Sequence, residues 1–233
     1  MARNALAVIP ARGGSKRIPR KNIRPMSGRP LIAWTIQTAL DSGEFSEVIV
    51  STDDAEIAEI ATSAGALAPF ARPSDLANDT ATTGEVMAHA VDFMMNNGFA
   101  GTDVCCLYPA AIFVTGADIG AARRLLGSGD QDQHYVMSVV EYPHPIQRAL
   151  RLGPDNIAAP VDPEHMFTRT QDLEPRWYDA GQFYWGKAEA WRRMDPVLEQ
   201  VKAYVLPQGG VVDIDTEEDW LLAERIHAAQ QLR

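Results

Sequence analysis

The stretch Leu6–Arg24, LAVIPARGGSKRIPRKNIR, changes character halfway. Leu6 to Ile9 is a short apolar run, long enough for one buried strand. Beyond it, Arg12, Lys16, Arg17, Arg20, Lys21 and Arg24 fall within thirteen residues with no acid among them. Gly13 and Gly14 let the backbone turn back and bring its N–H groups close to a bound group. A cationic loop at the end of a buried strand can hold a polyphosphate. Residues 1–40 contain eight Arg or Lys and no Asp or Glu, so residues 41–233 carry −18 against a net charge of −10 for the chain. Charge segregated in this way steers small anions. The competing reading is a solvated basic loop or a nuclear-localisation-like run. The buried-strand context and the paired glycines weigh against it. Neither GxxxxGKS/T nor GxGxxG occurs, which sets aside P-loop NTPases and Rossmann dehydrogenases as first choices.

Working outward, 233 residues suit one α/β domain with at most a small extension. At this length about 70% or more of the unfolded surface can be buried. The two cysteines, Cys105 and Cys106, are adjacent in an apolar run. Neighbours on a strand face opposite ways, which argues against a disulfide or a metal pair and reads as core thiols of a reducing compartment. No run of 18 apolar residues and no signal-peptide h-region occurs, so the expectation is a soluble, cytoplasmic protein. Acidity away from one patch argues against a nucleic-acid or membrane surface.

In chain order, Pro30–Leu40 reads as a helix with Leu31, Trp34, Ile36 and Leu40 on its apolar side. Glu47–Ser51 reads as a strand and Asp54–Ala64 as a helix closed by Gly65. Asp53 or Asp54 caps that helix or contributes to a metal site. Residues 69–83 form a polar connection whose only cation is Arg72. Thr82-x-x-Glu85 resembles a capping box for a helix to about Asn97, leaving Thr83 as either a helix-start residue or a ligand contact. Asp103–Leu107 is a continuous apolar run, as a central parallel strand requires, and a helix follows at 116–126. This alternation predicts a three-layer α/β/α sandwich with a mostly parallel, Rossmann-like sheet. Ligands bind beyond the C-terminal strand ends of such sheets, where Arg12–Arg24, Ser51-Thr52-Asp53 and Tyr108-Pro109 fall.

The second half carries shorter apolar runs: Tyr135–Val140, Gln182–Trp185, Ala203–Leu206 and Gly210–Asp213. Between them, Tyr142–Tyr178 is irregular and polar, and aromatic residues follow it. This composition fits a carbohydrate site or an inter-subunit arm equally. Near the end, Val212-Asp213-Ile214-Asp215 leads into a final helix to about Gln230. In an extended segment Asp213 and Asp215 face one way while Val212 and Ile214 face the core. Two carboxylates on one face suit Mg²⁺ held against substrate phosphates. Helix capping accounts for Asp215 or Thr216, but not for Asp213.

Ile9–Asn22 (IPARGGSKRIPRKN) resembles the signature of CMP-sugar synthetases that activate nonulosonic acids. Ser51-Thr52-Asp53-Asp54, Arg72-Pro73 and Asp213-Ile214-Asp215 extend the likeness. The blocks at 170–174, 179–186 and 213–220 resemble the pseudaminic acid cytidylyltransferase branch. The resemblance implies a nucleotide-diphospho-sugar transferase fold, as a single domain over 1–233 with 142–185 as a sugar-binding and dimerisation insertion. It also implies a reaction of CTP with a 2-keto nonulosonic acid, giving CMP-sugar and pyrophosphate, with Mg²⁺ as cofactor. By the same resemblance Lys21, Arg12 and Lys16 are catalytic, and Ala11, Gly13 and Asn22 join them around the nucleotide. Arg72 and Thr83 read cytosine, and Asp213 and Asp215 hold the metal. Tyr108, Gln147, Arg148, Arg169, Gln171, Asp179, Gln182 and Tyr184 meet the sugar, and the enzyme is a homodimer. One departure stands out. Sialate synthetases carry Gln-Pro-Thr-Ser-Pro after the central strand, where this chain has Tyr108-Pro-Ala-Ala-Ile-Phe113. Fewer polar groups there fit a less hydroxylated deoxy sugar such as pseudaminic acid. Legionaminate, sialate and KDO synthetases, a uridylyl- or guanylyltransferase and a catalytically silent nucleotide-sugar module are the alternatives.

Overall fold

A computed structural model describes residues 4–127, 133–199 and 201–231. Its first strand, β1 (Ala5–Pro10), is buried on both faces. Ala5, Ala7 and Ile9 enter one core and Leu6 and Val8 the other, as the period-2 geometry of a strand dictates. The short β2 (Pro25–Met26) and β3 (Arg29–Pro30) pair as a hairpin after the basic loop. Then follow α1 (Leu31–Ser42), β4 (Phe45–Ser51), α2 (Ala55–Ser63), α3 (Thr83–Asn96), β5 (Asp103–Leu107), α4 (Gly116–Gly127) and β6 (Tyr135–Glu141). The chain continues through β7 (Leu150–Leu152), β8 (Ala158–Pro160), β9 (Trp177–Lys187), α5 (Ala188–Arg193), β10 (Val201–Val205) and α6 (Glu217–Gln231).

The central sheet runs β10-β6-β9-β5-β1-β4. β1 lies parallel to β4 and β5, and β10 parallel to β6, while β9 runs antiparallel to both β5 and β6. The expected mostly parallel sheet is therefore present, with one reversed strand inserted. Residues of α1, α2 and α4 pack on one face, and residues of α3 and α5 on the other. Cys105 belongs to the first core and Cys106 to the second; both are free and fully buried. Thr82 and Glu85 form the capping box at the start of α3.

Several boundaries differ from the sequence reading. Leu40 is 39% exposed, and the buried residues of α1 are Leu31, Ile32, Ala33, Thr35, Ile36 and Ala39. Gly210–Asp213 is not a strand: a 3₁₀ turn at Gln208–Gly210 is followed by irregular backbone. β9 begins at Trp177, so the last part of the 142–185 extension belongs to the central sheet. The remainder carries the β7–β8 hairpin and four 3₁₀ turns.

A third core decides where the site lies. Ile18 of the basic loop, Leu31 of α1, Ile112 and Phe113 after β5, Val212 and Ile214, and Trp220 of α6 pack together. Ile18 and Ile214 are both fully buried. This cluster pins the basic loop and the Asp213–Asp215 segment to one another although some two hundred residues separate them. Beside it, Arg24 stacks over the Trp220 ring at 4.3 Å and pairs with Glu217 at 2.6 Å.

Candidate active site

Beyond the ends of β1 and β5 opens a cavity of about 560 Å³. Arg12, Lys16, Arg17, Lys21 and Asn22 line one side, Asp213 and Asp215 another, and Tyr108, Gly181 and Tyr184 a third. The alternation expected of a strand survives at 212–215 without a strand partner. Val212 and Ile214 enter the third core, which leaves both carboxylates on the cavity side. Lys21 Nζ donates to the Ile214 carbonyl at 2.5 Å and lies 3.5 Å from Asp215 Oδ1. Arg17, which the sequence reading left out of the site, pairs with Asp215 at 2.8 Å. Asp213 is raised above the ordinary carboxylate range, first by burial and then by the charge of Asp215. A cation is the natural complement of such a pair, and an all-oxygen donor set fits Mg²⁺. Two carboxylates leave most of the coordination sphere to substrate oxygens and water. Among the described residues, the one grouping of three acid or histidine ligands is Asp162, Glu164 and His165, which lies elsewhere, in the extension.

The basic loop is tied to itself and to the end of β4. Asn22 Nδ2 donates to the Arg12 carbonyl at 3.1 Å, the Ala11 N–H to Ser51 O at 2.9 Å, and the Gly13 N–H to Asp53 Oδ1 at 3.0 Å. Asp54, not Asp53, caps α2, accepting from the Ile57 N–H at 3.0 Å. Arg12 donates to Asp79 Oδ1 at 2.7 Å, and Lys16 pairs with the other oxygen of the same carboxylate. Those two hydrogen bonds, Lys16's foremost, hold Asp79 below the usual carboxylate range. Sequence reasoning missed Asp79. Its only signal was an acid in the polar connection opposite the loop.

Arg72 is 6% exposed and its guanidinium is taken up by Ser51: Nε reaches Ser51 Oγ at 3.1 Å and Nη2 the Ser51 carbonyl. Burial pushes that guanidinium down. Thr83 Oγ1 lies 2.8 Å from the Tyr108 hydroxyl. Neither Arg72 nor Thr83 is among the residues lining the cavity; Thr83 acts on it through Tyr108.

The eight residues expected at the sugar divide in two. Tyr108 and Tyr184 face the cavity, their rings edge to face at 5.9 Å. The Tyr184 hydroxyl bonds to Asp179, which also accepts from the Gly181 N–H at 2.9 Å. Gln182 is buried beneath, donating to Ala180 O at 2.9 Å. The others do not reach this cavity within the chain. Gln147 donates to Glu174 O at 2.8 Å, Arg148 to Thr168 O, and Arg169 to Asp172 at 2.7 Å. Gln171 lines a separate cavity of about 260 Å³ with Tyr142 and Arg176. Gln147 and Arg148 tie one part of the extension to another, and Arg169 pairs with Asp172 three residues on.

Residues 6–119 match the cytidylyltransferase family. The pseudaminic acid cytidylyltransferase of Campylobacter jejuni serotype O:2 is 40% identical over 224 residues, which cover 95% of each chain. The CMP-N,N'-diacetyllegionaminic acid synthase of Legionella pneumophila is 56% identical over 75 residues, 32% of each chain. Among solved structures, a CMP:2-keto-3-deoxy-manno-octonic acid synthetase complexed with CTP superimposes with a TM-score of 0.71 at 18% identity, covering 97% of this chain and 99% of that one. At that identity it supports the fold alone. A cationic loop and a carboxylate pair joined across one cavity, and a relative 40% identical along nearly its whole length, lead to one conclusion: this chain belongs to the cytidylyltransferase family of nucleotidyltransferases.

Proposed function

We propose that this enzyme transfers the cytidylyl group of CTP to pseudaminic acid, releasing pyrophosphate. The observation that carries the reading is Lys21, set between the cationic loop and Asp215 in one cavity. The 40% identity to an enzyme named for this reaction supports the choice of sugar. So does the cavity wall of Tyr108, Ala110 and Tyr184, which offers few free polar groups to a heavily hydroxylated acid.

In this reading the anomeric hydroxyl of the sugar acid attacks the α-phosphorus in line. A new O–P bond forms as the hydroxyl proton passes to solvent water, the bond between the α-phosphorus and the bridging oxygen of the β-phosphate breaks, and its electron pair leaves with pyrophosphate. Such chemistry rests on positioning and charge neutralisation more than on a covalent group. Arg12, Lys16 and Asn22 hold the β- and γ-phosphates, and Lys21 follows the charge that develops on the α-phosphoryl oxygens. A compact ammonium suits that role better than a guanidinium fork. Asp213 and Asp215 would hold Mg²⁺, which supplies charge neutralisation of the polyphosphate when bound. Hydrogen bonds to charged groups contribute about 1.5–3 kcal/mol each. Three or four such contacts, together with the charge neutralisation that Mg²⁺ would add, are of the size that micromolar to millimolar binding needs once association costs are subtracted.

The extension leaves Leu152, Ile157, Val161 and Phe167 at 72%, 68%, 63% and 98% exposed. A second copy covering these residues gives the homodimer expected from the family likeness, in which Gln147, Arg148, Arg169 and Gln171 serve the partner's sugar pocket. Sedimentation of the intact chain tests it.

Pyrophosphate release from CTP and Mg²⁺ with pseudaminic, legionaminic, N-acetylneuraminic and 2-keto-3-deoxyoctonic acids tests the substrate. Turnover is expected to be highest with pseudaminic acid, and kcat should fall about 100- to 1000-fold in Lys21→Ala. Near-normal turnover by Lys21→Ala, or preference for another acid, would contradict the respective assignment.

A further inference from the structure

Two acids outside the cavity wall grip the basic loop at its two ends. At the first turn, Asp53 Oδ1 accepts from the Gly13 N–H at 3.0 Å. At the last, Asp54 receives both terminal guanidinium nitrogens of Arg20, one of them at 3.1 Å, and Glu56 takes a further contact. Arg20 adopts φ 57° and ψ 28°, a left-handed conformation that residues with a side chain rarely enter. Lys21 follows directly and opens the 3₁₀ turn Lys21–Ile23. The N–H groups of Ile23 and Arg24 both return to the Arg20 carbonyl at 3.0 Å. The backbone at residue 20 therefore sets the direction in which Lys21 enters the cavity. A Cβ at residue 13 would stand 2.7 Å from Asp54 Oδ2, so Gly13 is what lets this carboxylate sit against the loop.

We propose that Asp54 and Arg20 are a positioning pair that holds residue 20 left-handed and thereby aims Lys21 for nucleotidyl transfer, with Asp53 fixing the opposite end of the loop. This deepens the function proposed above and rests on it. The hydrogen bond from Arg20 also depresses the Asp54 carboxyl below its ordinary range, as a standing ion pair requires. Asp54 is in addition the N-cap of α2. Asn is as good an N-cap as Asp, so Asp54→Asn removes the ion pair and keeps the cap.

The test compares the wild type with Asp54→Asn, Arg20→Gln, the double variant and Arg20→Lys, by steady-state kinetics and by amide hydrogen exchange without nucleotide. Each charge-removing single variant is expected to lower kcat about tenfold or more, with KM for CTP within about threefold and the melting temperature within a few degrees. The double variant should be no worse than the poorer single one, and Arg20→Lys should retain more activity than Arg20→Gln. Exchange at residues 21–24 should accelerate in both single variants. Unchanged kcat, losses that multiply in the double variant, or unchanged exchange at 21–24 would each overturn the proposal. A wild type inactive with CTP and every sugar acid would count against the function instead, and the exchange measurement, which needs no substrate, would still decide the clasp.

Discussion

Asp79 occupies the two cations that the proposed function gives to the triphosphate. Its carboxylate spans Arg12 and Lys16, and Arg12 also donates to the Asn78 carbonyl at 3.0 Å. In the binding mode proposed above, CTP competes with this internal anion for the same two cations. Both contacts are solvent-exposed and worth little in isolation, so exchanging them for phosphate contacts is easy. Asp79→Asn is expected to lower the KM for CTP by about two- to tenfold. Titration of CTP or inorganic triphosphate into the variant checks this; weaker binding than in the wild type would make Asp79 a support for the loop rather than a competitor. The cations were legible one by one, because six of them stand in a row after a buried strand. Asp79 was not, because an acid in a polar connection has no periodicity to place it.

The basic loop and the Asp213–Asp215 segment owe their meeting to apolar plugs. Ile18 projects from among the cations into the third core, and Val212 and Ile214 enter it from the other side. Ile18→Ala is expected to cost about 2–5 kcal/mol in denaturant unfolding and to weaken CTP binding by loosening the loop. Normal stability would show that the loop is held by its polar ties alone. Here the sequence was informative about facing and misleading about structure. The Val-Asp-Ile-Asp alternation does set two acids outward, but alternation needs only a core on one side, not a strand partner. β9 was foreshortened for the opposite reason. Its first residues, Trp177 to Asp179, are exposed and lack the apolar run that marks a buried strand, although they pair with Val139 to Glu141.

At the scale of the whole molecule, His227 links stability to pH from outside the site. His227 of α6 is 4% exposed, with Ser27 Oγ 3.0 Å from its Nδ1 and the Trp34 ring centroid 4.5 Å away. Burial holds it below its ordinary pKa of 6.5. The folded chain thus keeps the imidazole neutral while the unfolded chain takes up a proton. Stability should fall as pH drops through 6.5 and go on falling until the folded imidazole itself protonates. Melting curves from pH 7.5 to 5.5 are expected to show a smaller decline in His227→Gln than in the wild type; parallel declines would remove His227 as the cause. At this scale the layered architecture followed from the order of strands and helices. The extension's side chains did not, because Gln147, Arg148 and Arg169 satisfy nearby groups, and a polar composition alone does not distinguish a ligand contact from a turn.

The central claim, that the cationic loop and the carboxylate pair converge on one nucleotide, is tested most directly by a crystal structure with CTP and Mn²⁺ and its anomalous map. The account predicts one manganese peak about 2.0–2.3 Å from oxygens of Asp213 and Asp215, the α-phosphate within hydrogen-bonding reach of Lys21 Nζ, and Asp79 released from Arg12 and Lys16. A triphosphate bound away from Lys21, or manganese on the Asp162–His165 cluster with none at Asp213 and Asp215, would contradict it.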